Sequence, residues 1–155
     1  MKKKILGIAV ALLIFMTGCS SSKDVKDVDV QSVADELIST IQFQDQMSEL
    51  NQKTAVNIFG IDSDDIVKAA VYESTGATAE EVAAFESKDE QAAQRVKKKA
   101  EERIETQKSG FQDYVPTEME KLKDPVLEQY GKYVILCVSN DNTTAKQTID
   151  GFFSS

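Results

Sequence analysis

The chain has 155 residues, with 18 Lys+Arg against 26 Asp+Glu and a net charge of −8. Such an excess of acid is repelled by phosphate backbones and anionic headgroups, which excludes nucleic acid as a partner held by general electrostatics. Histidine is absent, so Ser-His-Asp and Cys-His catalysis are excluded, and the commonest general base and transition-metal ligand are missing.

Lys2, Lys3 and Lys4 precede an apolar run from Ile5 to Met16, and Thr17-Gly18-Cys19 follows. Positive charge, a short apolar segment and small residues before a cysteine read as a bacterial lipoprotein signal. Residues 1–18 are expected to be removed and Cys19 to become the first mature residue, its thiol carrying a diacylglyceryl group. The apolar run falls short of the about 18 residues that a membrane span needs, which disfavours an uncleaved anchor. Two acyl chains hold a protein stably where a single chain would exchange. The expected location is therefore the outer face of the bacterial cytoplasmic membrane, with the membrane as a partner through the lipid on Cys19. Without residues 1–18, 15 basic residues face 26 acidic ones, a net charge of −11. The simplest reading of this excess is solubility. With Cys19 consumed by lipid, Cys137 has no partner for an intramolecular disulfide.

Residues 19–29 are polar, without an apolar stripe, and read as a flexible tether that reaches at most roughly 30 Å when extended. Residues 30–155 are the size of one domain with one core. Val30, Val33, Leu37 and Ile41 recur at helical spacing, and Asp29 stands where an N-cap belongs. A second helix is expected from about Ser48, with Leu50, Ala55 and Ile58 as its apolar members and Gly60 at its end. The β-branched run Ile66 to Glu73 reads as a strand, Ser74 to Thr78 as a turn, and Glu81 to Glu86 as the returning partner. From Asp89 to about Phe111 the stripe Ala92, Val96, Ala100, Ile104 and Phe111 predicts a long helix, with Ser87 and Glu90 spaced as a capping box.

Tyr114-Val115-Pro116 breaks that helix, and Thr117 to Leu122 predicts one or two further turns before Asp124-Pro125. Val126 to Tyr130, Gly131-Lys132 and Tyr133 to Val138 read as a tight hairpin whose second strand, apolar on both faces, lies inside the sheet. Asp141 or Asn142 opens a closing helix with Ala145, Ile149 and Phe152. The fold class expected is α+β: a small antiparallel sheet of two hairpins, about four strands. The long helix and the C-terminal helix cover it, and the leading helices pack alongside.

Three runs carry a resemblance: Tyr72-Glu73-Ser74-Thr75-Gly76-Ala77-Thr78-Ala79-Glu80-Glu81, Gln112-Asp113-Tyr114-Val115-Pro116, and Gly131 to Ser139. Together they resemble the domain of unknown function 4358 family of small lipoproteins, over essentially the whole chain after the tether. The resemblance implies a location and a fold, not a reaction, and it assigns no catalytic or binding residue.

The residues themselves offer little reactive chemistry. A Ser-x-x-Lys pairing occurs only at Ser20 and Lys23, in the tether. Cys137 lies ahead of a helix, but a lone cysteine within Val-Ile-Leu-Cys-Val reads as inert core. Asp62, Asp64 and Asp65 lack the oxygen ligand and glycine that an EF-hand loop needs at Ile66 and Val67, so they read as capping acids in a turn. Ser74 to Thr78 has neither the spacing nor the lysine of a phosphate loop; it reads as a turn, or as a capping box from Thr78 to Glu81. Lys97 with Glu101 and Lys98 with Glu102 read as a charge-paired solvated face. No catalytic residue, cofactor or metal site is expected. The expected role is non-catalytic docking of another envelope protein. Binding of a small extracytoplasmic ligand is the alternative, and a hydrolase would need carboxylates brought together in a cleft.

Overall fold

A computed structural model describes residues 26–154. The expected lipoprotein signal, Cys19 and all but the last four residues of the expected tether lie outside that span. Asp29 caps α1 (Val30–Thr40), accepting the Ser32 N–H, and the helix buries Val30, Val33, Ala34 and Leu37 on one stripe. Ser48–Leu50 is a short strand, β1, and α2 (Gln52–Phe59) begins only after it. The cause is Asn51, whose Oδ1 accepts the Thr54 N–H at 3.0 Å and fixes the helix start. Gly60, at φ 62°, ends α2 in the left-handed conformation expected of it.

A single 3-10 turn, Ser63–Asp65, leads into β2 (Ile66–Glu73) and β3 (Glu81–Ser87). α3 (Glu90–Phe111) follows. The capping box expected from Ser87 and Glu90 is not formed. Asp89 caps the helix instead, accepting the Ala92 N–H at 2.7 Å, while Ser87 belongs to the end of β3 with a buried hydroxyl lacking a partner. A 3-10 turn at Pro116–Glu118, α4 (Met119–Lys123), the hairpin β4 (Val126–Tyr130) and β5 (Tyr133–Val138), and α5 (Asn142–Phe153) complete the chain. Gly131, at φ 53°, takes the positive dihedral that the two-residue turn between Tyr130 and Tyr133 demands.

The architecture is mixed α+β with one antiparallel sheet. It has five strands rather than about four, in the order β1-β2-β3-β5-β4. β1 adds at the edge of β2, pairing Ser48 with Glu73 and Leu50 with Val71.

Alternation along the strands divides the interior in two. Val71, Ala83, Phe85, Val134, Leu136 and Val138 face α2, α3 and α4, where Phe59, Val96, Ala100 and Leu122 meet them. Ala70, Val82, Ala84, Tyr133, Ile135 and Cys137 face α1 and α5, against Val33, Leu37, Ala145 and Ile149. The helices thus lie on both faces in three layers: the long α3 and the C-terminal α5 cover opposite sides of the sheet, and the leading helices α1 and α2 divide between them. β5 is buried at every residue, as its unbroken apolar run requires.

Candidate functional site

Two carboxylates at the β2 and β3 ends that flank residues 74–80 converge on one guanidinium. Arg103, midway along α3, donates through Nη2 to Glu73 Oε1 at 2.6 Å and to Glu81 Oε1 at 3.0 Å. Gln107, one helical turn on, donates to Glu81 Oε2 at 3.1 Å. Glu81 is 1% exposed. Burial pushes its carboxyl up to about 7, against the pull of Arg103 and with a further rise from neighbouring Glu73.

A second buried network adjoins the first. Lys121 of α4, 4% exposed, contacts Glu118 Oε2 at 2.9 Å and Glu80 Oε1 at 3.4 Å. It also donates to Gln44 Oε1 at 2.8 Å. Glu118 accepts the Ala79 N–H at 2.8 Å. Glu80 accepts the main-chain N–H groups of Gln44 and Asp45 and the Thr78 hydroxyl. Burying a lysine between two carboxylates is tolerable only when the remaining hydrogen-bonding capacity is filled. Here it is filled by main-chain groups from two loops, residues 43–47 and 74–80.

Between residues 73–80 and the C-terminal half of α3 lies a cleft of about 340 Å³, lined by Glu73, Ser74, Thr75, Gly76, Thr78, Glu80, Arg103, Thr106, Gln107, Gly110 and Phe111. Its volume suits a small ligand, and its walls are more polar than those of a drug-type pocket. Glu81 is not among the lining residues, so the carboxyl with the raised affinity for protons is sealed beneath Arg103.

Several residues singled out in the sequence take structural roles. Cys137 is fully buried, and burial drives its thiol up to about 12, far from a nucleophilic thiolate. Asp62 caps the 3-10 turn by accepting the Asp64 N–H. Asp65 is gripped by Arg95 through two nitrogens and by Lys88, and the Arg95 hydrogen bonds hold it well below the usual carboxylate range. Thr78 and Glu81 do not form a capping box, because Glu81 begins a strand. Within α3 the ion pairs are Lys99 with Glu102 and Lys108 with Glu105, each at 2.7 Å, not the pairs expected from Lys97 and Lys98. Among the described residues no group of three or more His, Cys, Asp and Glu side chains is placed to share a metal ion. No described helix is long and apolar enough to cross a membrane.

The run Ser74 to Thr78 reads in the sequence as a turn, Glu73 and Glu80 stand there only as members of a strand or of the resembling run, and no local pattern marks Arg103, Gln107 or Lys121 as site residues. Two signals were present: acidic Glu80-Glu81 immediately before an apolar strand, and Arg103 with Gln107 on one helical face. Neither says that the two features meet.

The family model for a domain of unknown function (DUF4358) matches residues 39–139. The chain belongs to that family, and the match encloses every residue of the cleft. Nothing among the curated proteins or the solved structures matches the chain.

Proposed function

We propose that this protein is a lipid-anchored, extracytoplasmic and non-catalytic binding module that captures a small polar ligand. The observation that supports this reading is the cleft beside Arg103, whose walls are formed by loops tied down from beneath by buried ion pairs. A rigidly supported site loses less free energy to ordering when its ligand arrives. Hydrolysis fits less well. Glu81 is sealed from the cleft, and Glu80 is occupied by Gln44, Asp45, Thr78 and Lys121, so no pair of free carboxylates faces a substrate. The location rests on Cys19 and the segment before it.

Docking of another envelope protein is the second reading, and Tyr114 favours it. This residue, just after α3, is 88% exposed, and tyrosine is a frequent interface anchor. Among the described residues the only other exposed large apolar side chain is Val67 of β2, and two single residues do not make a patch.

In-cell crosslinking of the wild type and of Cys19→Ala, followed by mass spectrometry, together with a thermal-shift ligand screen, tests both. Stabilisation by a small ligand that Glu73→Gln weakens supports the first reading. A protein partner crosslinked near Tyr114 and lost with Cys19→Ala, without any ligand response, would replace it with the second.

A further inference from the structure

The direction of the hydrogen bonds around the cleft identifies the chemistry of what it would take. Ser74 Oγ contacts the Thr78 carbonyl at 2.7 Å, and Thr106 Oγ1 the Glu102 carbonyl at 2.9 Å. Thr78 Oγ1 contacts the Glu80 carboxylate at 3.0 Å, and Thr75 Oγ1 the Asp45 carboxylate. Carbonyl and carboxylate oxygens accept and do not donate, so in all four contacts the hydroxyl hydrogen is committed to the protein. Ser74 Oγ also accepts the Gly76 N–H at 3.4 Å and Thr78 Oγ1 the Glu80 N–H at 3.5 Å, so each of these keeps one lone pair for a ligand, while Thr75 and Thr106 keep two. Glu73 uses one carboxylate oxygen on Arg103, and the other has no side-chain hydrogen bond among the described residues. Gln107 directs its amide N–H to Glu81, leaving a buried Oε1 with no hydrogen bond. Hydroxyl and carboxylate groups lining the cleft thus offer acceptors.

Arg103 does not reverse this balance. Its Nε and Nη2 donors are committed to Glu81 and Glu73, and an anion approaching it would also meet Glu80 in the wall. A compact ligand carrying several N–H donors and a positive charge complements such a site, because charge-assisted hydrogen bonds are the stronger ones.

We propose that the cleft binds a small aliphatic ammonium compound, a protonated primary amine or diamine, by N–H donation to Glu73 and to the hydroxyl lone pairs of Ser74, Thr78 and Thr106. This rests on the small-ligand reading above and names the ligand class for it.

The test is an NMR titration of the full chain in neutral detergent micelles, following the main-chain amides of residues 74–78 and 106–107. The probes are methylammonium and 1,4-diaminobutane, with tetramethylammonium as a cation lacking N–H donors, and with acetate and glycerol as an anion and a neutral polyol. Saturable shifts from the two amines, and none from tetramethylammonium, are expected. Glu73→Gln should weaken the diamine by about tenfold or more, and Thr106→Val, at an exposed helical position, several-fold. Equal binding of tetramethylammonium would overturn the proposal, because bare charge would then suffice. Shifts from acetate or glycerol without any from the amines would overturn the ligand class and leave a ligand-binding cleft. Silence from every probe would overturn the ammonium proposal, and a broad ligand screen that is also silent would remove the cleft reading itself.

Discussion

Glu80 and Asp45 fasten each other's loops. An oxygen of the Glu80 carboxylate accepts the main-chain N–H of Asp45 at 3.0 Å, and Asp45 Oδ2 accepts the main-chain N–H of Thr75 at 2.9 Å. The Thr75 hydroxyl hydrogen bond, with main-chain N–H groups beside it, also holds the Asp45 carboxyl below its ordinary value. Each loop therefore supplies the acid that satisfies the other's backbone, and neither conformation is independent of its neighbour.

Lys121 closes that arrangement from below, so its removal should be among the most damaging substitutions in the chain. Lys121→Met leaves Glu80 and Glu118 buried without a cation, and the loss should be about 3–5 kcal/mol by urea unfolding. Adding Glu118→Gln should recover part of it. A cost under about 1 kcal/mol for the single variant would show that water replaces the lysine at no great expense.

Glu81 should make stability depend on pH. Its carboxyl binds a proton more tightly in the folded chain, with an affinity near 7, than in the unfolded chain, where the ordinary value is 4.5. The corresponding stability is present in full below that ordinary value and is lost as pH rises through about 7. Denaturation midpoints should fall between pH 5 and 8 in the wild type and fall less in Glu81→Gln. Equal slopes in the two proteins would assign the dependence to other groups.

Cys137 should resist alkylation while the chain is folded. Its thiol is buried and pushed up to about 12, so at pH 8 almost none of it is thiolate. Mass spectrometry after exposure to iodoacetamide should find it unmodified in buffer and modified in concentrated urea. Rapid labelling in buffer would mean that β5 opens readily.

Phe85 should dominate the larger of the two interiors. It is fully buried and meets Phe59 edge to face, with ring centroids 5.1 Å apart. Phe85→Ala should cost about 3–5 kcal/mol, since the surrounding helices close only part of the cavity. Chemical denaturation measures this directly, and a loss below about 1 kcal/mol would contradict a close-packed core at that position.

The parts of the fold legible in the sequence are those fixed by local rules. The stripe from Ala92 to Ile104 dictates α3, Gly60 ends α2 and Gly131 turns the last hairpin, each through its own backbone or periodicity. β1 escaped because Leu50 fits the spacing of the helix that follows it, and only the Asn51 cap separates the two. The cleft escaped for a different reason. Arg103 and Glu81 are 22 residues apart, and on an otherwise charged helix an arginine looks like one more solvated residue. Which strand end lies beneath which helical turn is decided by the packing of three layers, and no local pattern encodes it.

The route of the chain also sets an orientation. Tyr133, at the start of β5, holds Asp27 through its hydroxyl at 2.6 Å and accepts the Val28 N–H. It pairs with Glu86, near the far end of β3 from Glu81. Five residues of strand, roughly 17 Å, separate these two levels. The start of the described chain and the mouth of the cleft are thus at opposite poles of the sheet. If the chain is held through the residues before 26, as proposed above, the cleft faces away from the holding surface.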